Sequence, residues 1–193
     1  MYLVRTLEKN IKKVSDFFPV LLVTGPRQVG KTTILQACGS EGRSYVSLDT
    51  LENRSLAQND PALFLQRFKA PLLIDEIQYA PQLFPYIKAM VDEQKQNGMF
   101  WLTGSQQFHL MKNVSESLAG RVGILHLEGF SQAERDGQPE RPPFLPTPES
   151  VEKRASLAPT TDIMSIFHRI WKGAYPKMHW ADDGMWQLFY DAY

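Results

Sequence analysis

The sequence predicts a three-layer α/β fold, a five-stranded and mainly parallel sheet covered by helices on both faces, with a C-terminal helical fragment appended. Three observations lead there. Short runs of branched and aromatic apolar residues recur through residues 1–130, which is the strand pattern. Between them, apolar residues recur at spacings of three and four, which is the helix pattern. Finally, the run Pro71 to Glu76 is apolar without alternation until its last two residues, as a strand buried on both faces must be.

Taken in order, residues 1–18 place Leu3, Leu7, Ile11 and Val14 on one helical stripe, and Pro19 leads into a strand at Val20 to Val23. Lys31 to Ala37 continues as a helix, with Gly39 as its stop. Ser44 to Leu48 reads as the second strand, closing on Asp49, and a polar, Asn-rich segment follows. Asp60-Pro61 starts a short helix, with Asp as cap, Pro at the first position, and Leu63, Phe64 and Phe68 as its apolar face. The third strand is 71–76. Pro81 to Gln96 is a helix carrying Leu83, Phe84, Ile87, Met90 and Val91 on one side, terminated by Asn97-Gly98. Met99 to Thr103 is the fourth strand, ending in Gly104-Ser105. Gln106 to Leu118 is a helix with Phe108, Met111, Val114 and Leu118 in register, and Gly123 to Leu127 is the fifth strand.

Beyond Phe130 the composition changes. Six of the 13 prolines fall between residues 139 and 159, mixed with charges, so residues 131–161 read as a proline-stiffened linker between a first domain at 1–130 and a second. Asp162 then caps a helix with Ile163, Ile166, Phe167, Ile170 and Trp171 on a broad apolar face, stopped by Gly173 and Pro176. About 30 residues so rich in aromatics cannot bury them alone. Residues 162–193 therefore read as the start of a second, helical domain truncated at Tyr193.

Bulk composition excludes several classes. Lys+Arg and Asp+Glu both number 21, so no global charge bias points to nucleic acid or to an anionic membrane surface. The basic N-terminal run of Arg5, Lys9, Lys12 and Lys13 reads as a solvated helix face. A single cysteine, Cys38, cannot form an internal disulfide and reads as a small unreactive thiol. Without a signal peptide or an 18-residue apolar run, the expectation is a soluble, cytoplasmic chain with no membrane association.

The chemistry concentrates in Gly25-Pro26-Arg27-Gln28-Val29-Gly30-Lys31-Thr32-Thr33, the Walker A pattern between a strand and a helix. Gly25 and Gly30 allow backbone angles that a Cβ would forbid. The amides of Gln28 to Thr32 can form an anion cradle, reinforced by the positive end of the helix. Lys31 is placed to reach the β- and γ-phosphates, and Thr32 to ligate Mg²⁺. Arg27 is either solvent-facing or phosphate-adjacent.

Asp75 and Glu76 end the third strand in the manner of a Walker B segment. Asp75 suits a second or water-mediated Mg²⁺ contact, beside Thr32 if the third strand neighbours the first. Glu76 suits the base that orients or polarises the attacking water. An adjacent Glu and an intervening strand favour an ATPase over a GTPase or small-molecule kinase. Ser105, or less favourably Thr103, offers a hydroxyl to the γ-phosphate or the water. Arg121 reads as a γ-phosphate sensor in cis, as an arginine finger for a neighbouring subunit, or as a surface arginine satisfying helix carbonyls. The four histidines (109, 126, 168, 179) have no metal-ligand spacing.

The segments G-P-R-Q-V-G-K-T-T, Y-V-S-L-D, D-P-A-L-F-L, L-L-I-D-E-I-Q-Y-A-P, L-T-G-S-Q-Q-F, S-L-A-G-R-V and G-F-S-Q-A-E, in that order, resemble a prokaryotic AAA+-type ATPase family. Its members join this P-loop domain to a C-terminal domain of unknown function, whose start W-K-G-A-Y-P-K-M-H-W and W-Q-L-F-Y-D-A-Y resemble; the proline-rich linker departs from the pattern. The resemblance implies ATP and Mg²⁺, with Lys31, Thr32, Asp75 and Glu76 in the roles given above. The expected function is ATP hydrolysis that drives or gates the attached domain. The alternative is a very slow or non-hydrolysing ATP-dependent switch read out by a protein or DNA partner. A small-molecule phosphotransferase ranks last, because residues 76–100 contain no arginine for a lid. Homo-oligomerisation stays open.

Overall fold

The computed structural model describes residues 2–39, 41–105, 114, 116–142, 144–157 and 161–192. Two compact units emerge, Leu7–Glu128 and the residues that flank it on either side.

In the unit Leu7–Glu128, five strands form one parallel sheet in the order β2-β3-β4-β1-β5: β1 (Val20–Gly25), β2 (Ser44–Ser47), β3 (Leu72–Asp75), β4 (Phe100–Ser105) and β5 (Val122–His126). Every residue of β1, β3 and β4 is buried, which is why these runs lack alternation. At the edge, β2 leaves Ser44 and Tyr45 exposed and buries Val46. The expected five-stranded parallel sheet is therefore present, with one difference that matters for the site. β4 lies between β1 and β3, so Asp75 is one strand removed from the strand that feeds the phosphate loop.

The helices of this unit are α1 (Glu8–Phe17), α2 (Lys31–Cys38), α3 (Leu51–Asn59), α4 (Pro61–Arg67) and α5 (Leu83–Gln94). α1 starts at Glu8, not near residue 1, because Arg5 is buried elsewhere. The polar segment after Asp49 folds as α3, which buries Ala57 and packs Leu56 against the core. The Asp60 carboxylate caps α4 by accepting the Leu63 amide at 2.9 Å. Phe64 and Leu65 carry the burial there, whereas Leu63 stays 48% exposed. Burial pushes the Cys38 thiol up to about 11, so it stays protonated and unreactive at neutral pH. Of the helix expected at 106–118, residues 106–113 and 115, with Phe108, His109 and Met111, lie outside the described residues. Val114 and Leu118 are fully buried.

The flanking residues form the other unit, with α6 (Gln132–Arg135), α7 (Pro148–Leu157), α8 (Ile163–Lys172), α9 (Pro176–Trp180) and α10 (Trp186–Asp191). The segment expected to be a linker thus contains α7. Asp162 caps α8 through the Ser165 amide at 2.9 Å, and Gly173 ends it with φ 77°. Trp171 stacks on Trp186 with centroids 5.0 Å apart. Ile163, Met164, Phe167 and Ile170 of α8 are all exposed. No described helix is long and apolar enough to cross a membrane.

Lys9, Lys12 and Lys13 are exposed, as a solvated basic face requires, and Arg5 is the exception. It is 4% exposed, and its Nε donates to Glu134 Oε1 at 3.1 Å. Its Nη2 donates to the Gly129 carbonyl at 3.3 Å, and the guanidinium lies 4.7 Å from the Phe130 ring centre. Glu134 also accepts the Thr6 amide at 2.8 Å and the Ser131 amide at 2.7 Å, the latter closing a capping box with Ser131. Burial alone would raise the Glu134 pKa; the amides of Ser131 and Thr6, with Arg5, outweigh it and hold the carboxyl below its usual 4.5. Removing one partner of such a buried pair costs about 3–5 kcal/mol, the loss expected for Arg5→Ala in urea unfolding. Because the folded pKa is depressed, the stabilisation is present above the unfolded value and is lost as pH falls through the folded one. The stability gap between wild type and Glu134→Gln should therefore narrow from pH 6 to pH 3; a constant gap would refute the assignment.

Candidate functional site

The site is built where the parallel strands end. β1 delivers Gly25 into the loop with φ 145°, and a Cβ there would lie 2.1 Å from the Leu127 carbonyl oxygen. Val29 is buried and anchors the middle of the loop, while Arg27, Gln28 and Thr33 are exposed. Gln28 adopts φ 59° and Gly30 φ 94°, left-handed conformations that turn the chain back into α2. Pro26 contributes its carbonyl: the Lys31 ammonium donates to Pro26 O at 2.8 Å and to Gly25 O at 3.2 Å. Lys31 thus lies folded over its own loop, only 6% exposed. Burial lowers its pKa, Glu76 and then Asp75 oppose that shift, and Arg27 adds to it. Arg27 is therefore close enough to Lys31 to act on it electrostatically, at the solvent side of the loop.

Asp75 is the meeting point of the site. Its Oδ1 accepts the Thr32 hydroxyl at 2.6 Å and the hydroxyl of Thr103. Its Oδ2 accepts the Tyr45 hydroxyl at 3.2 Å. Burial and then the Asp75 charge raise the Tyr45 pKa, keeping that phenol a proton donor. The span from Thr32 to Asp75 is closed although β4 intervenes, because the loop and the start of α2 curl over the end of β4.

Glu76 follows in a left-handed turn, φ 58° and ψ 49°, and opens a 3₁₀ turn at Ile77–Tyr79. Its amide donates to Thr103 Oγ1 at 3.0 Å, and its carboxylate accepts the Gln78 side-chain amide. Ser105 stands opposite Gly25 in the β1–β4 register, and its buried hydroxyl oxygen has no hydrogen-bond partner among the described residues. An orphaned hydroxyl at that level fits a missing polar ligand. The oxygen-only donor pair of Thr32 and Asp75 fits a small hard cation.

One predicted residue lies elsewhere. Arg121 precedes β5 at the amino-terminal end of the sheet, where its carbonyl accepts the Val20 amide. Five residues of β1 at about 3.3 Å each put it roughly 16 Å from the loop. Both carboxylate oxygens of Asp92 hold its guanidinium, at 2.5 and 2.9 Å. Sensing of the chain's own γ-phosphate is therefore corrected by the geometry. Sequence reading missed Tyr45 and Gln78 and underrated Thr103. Tyr45 had one usable signal, its position on the same strand just before Ser47 and Asp49.

Comparison with known proteins places residues 18–135 in a family described as an AAA domain. Uncharacterised proteins of Mycobacterium bovis and Mycobacterium tuberculosis are each 37% identical over 129 residues, which is 66% of this chain and 29% of theirs. The chain thus spans under a third of the length of these curated relatives. Among solved structures, a Walker-type ATPase of Pyrococcus abyssi superposes with TM-score 0.54 and 15% identity, over 88% of this chain and 63% of that one. A DNA replication initiation factor superposes with TM-score 0.51 and 13% identity, over 95% of this chain and 58% of that one. These two likenesses concern the fold.

The contact between Gly25 and Leu127 yields a stability test. Gly25→Ala forces a methyl group against backbone, so a loss of about 1–3 kcal/mol is expected in urea unfolding. Wild-type stability of the variant would mean that the loop does not pack as described.

Proposed function

This chain belongs to the AAA domain family, and from that premise we propose that it binds ATP with Mg²⁺ and hydrolyses it to drive or gate an attached C-terminal domain. The observation that carries the proposal is the Thr32 hydroxyl seated 2.6 Å from the Asp75 carboxylate, beside a desolvated Lys31. Lys31 gives up the carbonyls of Gly25 and Pro26 and turns its ammonium to the β- and γ-phosphates. In that water-poor setting its charge acts with little dielectric screening. Thr32 would offer an oxygen lone pair to the cation while its proton stays donated to Asp75, whose charge would balance that of the cation. Bound Mg²⁺ supplies Lewis-acid neutralisation of the phosphoryl oxygens.

Glu76 takes the proton of the attacking water, and Ser105, with its unpartnered hydroxyl, contacts the γ-phosphate or that water. The loop amides from Gln28 to Thr33 hold the phosphates, with Arg27 at their solvent side. Arg121, remote from its own loop, serves a neighbouring subunit in a homo-oligomer once Asp92 releases it. Protein or DNA partners would act through the attached C-terminal domain. A slow ATP-dependent switch is the second reading; the Gln78 amide, already seated on the Glu76 carboxylate, favours it.

Lys31→Ala should abolish ATP binding and turnover. Glu76→Gln should keep ATP binding and lose about 10²–10⁴-fold in single-turnover rate. Equal rates for Glu76→Gln and wild type would remove Glu76 as the base, and no turnover by wild type over hours would select the switch. For Arg121, activity should return when inactive Arg121→Ala and Lys31→Ala chains are mixed; two inactive variants that stay inactive together would count against action in trans.

A further inference from the structure

We propose that Thr103 is a positioning residue that ties the placement of Glu76 to the charge at Asp75. The inference rests on the reading of Asp75 and Glu76 given above. Thr103 is fully buried in β4, between the strand of the phosphate loop and the strand of the carboxylates. Its single proton is committed to Asp75 Oδ1, and its oxygen accepts the Glu76 amide at 3.0 Å. A hydroxyl so engaged has no proton to offer a phosphate, which leaves that contact to Ser105, whose oxygen has no partner among the described residues.

The three groups form one chain: Glu76 N–H donates to Thr103, and Thr103 O–H donates to Asp75. Linked hydrogen bonds polarise one another in a low-dielectric interior. A full negative charge on Asp75 draws the Thr103 proton, which makes the Thr103 oxygen a better acceptor for the Glu76 amide. A cation held by Thr32 and Asp75 drains that charge and weakens both bonds in turn. The bond from Thr103 secures a residue in a conformation that non-glycine residues seldom adopt, φ 58° and ψ 49°. Its weakening frees the Glu76 turn to move. Thr103 thus reports filling of the cation site to the base, so that the base is released only when the metal is present.

The test uses the full chain and two readouts. The first is exchange of the Glu76 amide by NMR, with a non-hydrolysable ATP analogue in the presence and absence of Mg²⁺. Wild type should exchange slowly without Mg²⁺ and several-fold faster with it. Thr103→Val should exchange fast in both conditions, and Thr103→Ser should behave as wild type. The second is the Mg²⁺ dependence of turnover: because Mg²⁺ has to loosen the chain in wild type, Thr103→Val should reach half-maximal turnover at a several-fold lower Mg²⁺ concentration, and Thr103→Ser should behave as wild type. A wild-type Glu76 amide indifferent to Mg²⁺ overturns the proposal, even if Thr103→Val fails to fold. An equal shift in Thr103→Val and Thr103→Ser also overturns it, because a variant that keeps the hydroxyl would then behave like one that lacks it. If wild type binds the analogue but never hydrolyses ATP, the hydrolysis reading fails, and the amide readout still decides the role of Thr103.

Discussion

One buried carboxylate constrains the whole site. Asp75 is 7% exposed, and an ionised group removed from water in this way must be compensated by donors. The donors come from α2, β2 and β4, as the hydroxyls of Thr32, Tyr45 and Thr103. Satisfying Asp75 therefore registers three elements against β3 in one step. The parallel sheet makes this feasible because neighbouring strands end at one level, so side chains from three of them, β2, β3 and β4, converge there. Hydroxyls suit the purpose because each can donate a proton and still offer a lone pair.

Around this centre the backbone is bent at two non-glycine positions, Gln28 in the loop and Glu76 after β3. Each costs of order 1–3 kcal/mol and persists only where its surroundings over-determine it. Here the surroundings are Val29 in the core on one side and the Thr103 bond on the other. The unbent, fully buried strands carry the stability that allows this local cost.

The parts of this arrangement that were legible in the sequence are those set by local rules. Unbroken apolar runs marked β1, β3 and β4 because burial on both faces leaves no polar positions. The glycine spacing marked the phosphate loop, and Asp60 and Asp162 marked helix starts. Strand order was not legible, since spacing along a chain does not say that β4 enters between β1 and β3. For the same reason Tyr45 was missed and Thr103 was ranked behind Ser105: each acquires its role only through a partner 28 or more residues away. Arg5 was misread because its partner is 129 positions distant, and a basic residue near lysines suggests solvent until that partner is known.

That separation has a consequence for the nascent chain. Arg5 leaves the ribosome ahead of Glu134 by roughly 130 residues, about 6–26 s at ordinary elongation speeds. Throughout that interval all five strands can be made and paired while Arg5 waits, solvated and uncommitted. Closing so long a span is entropically costly and comes late. Arg5 and Glu134 therefore pair only after the five strands between them have all been synthesised.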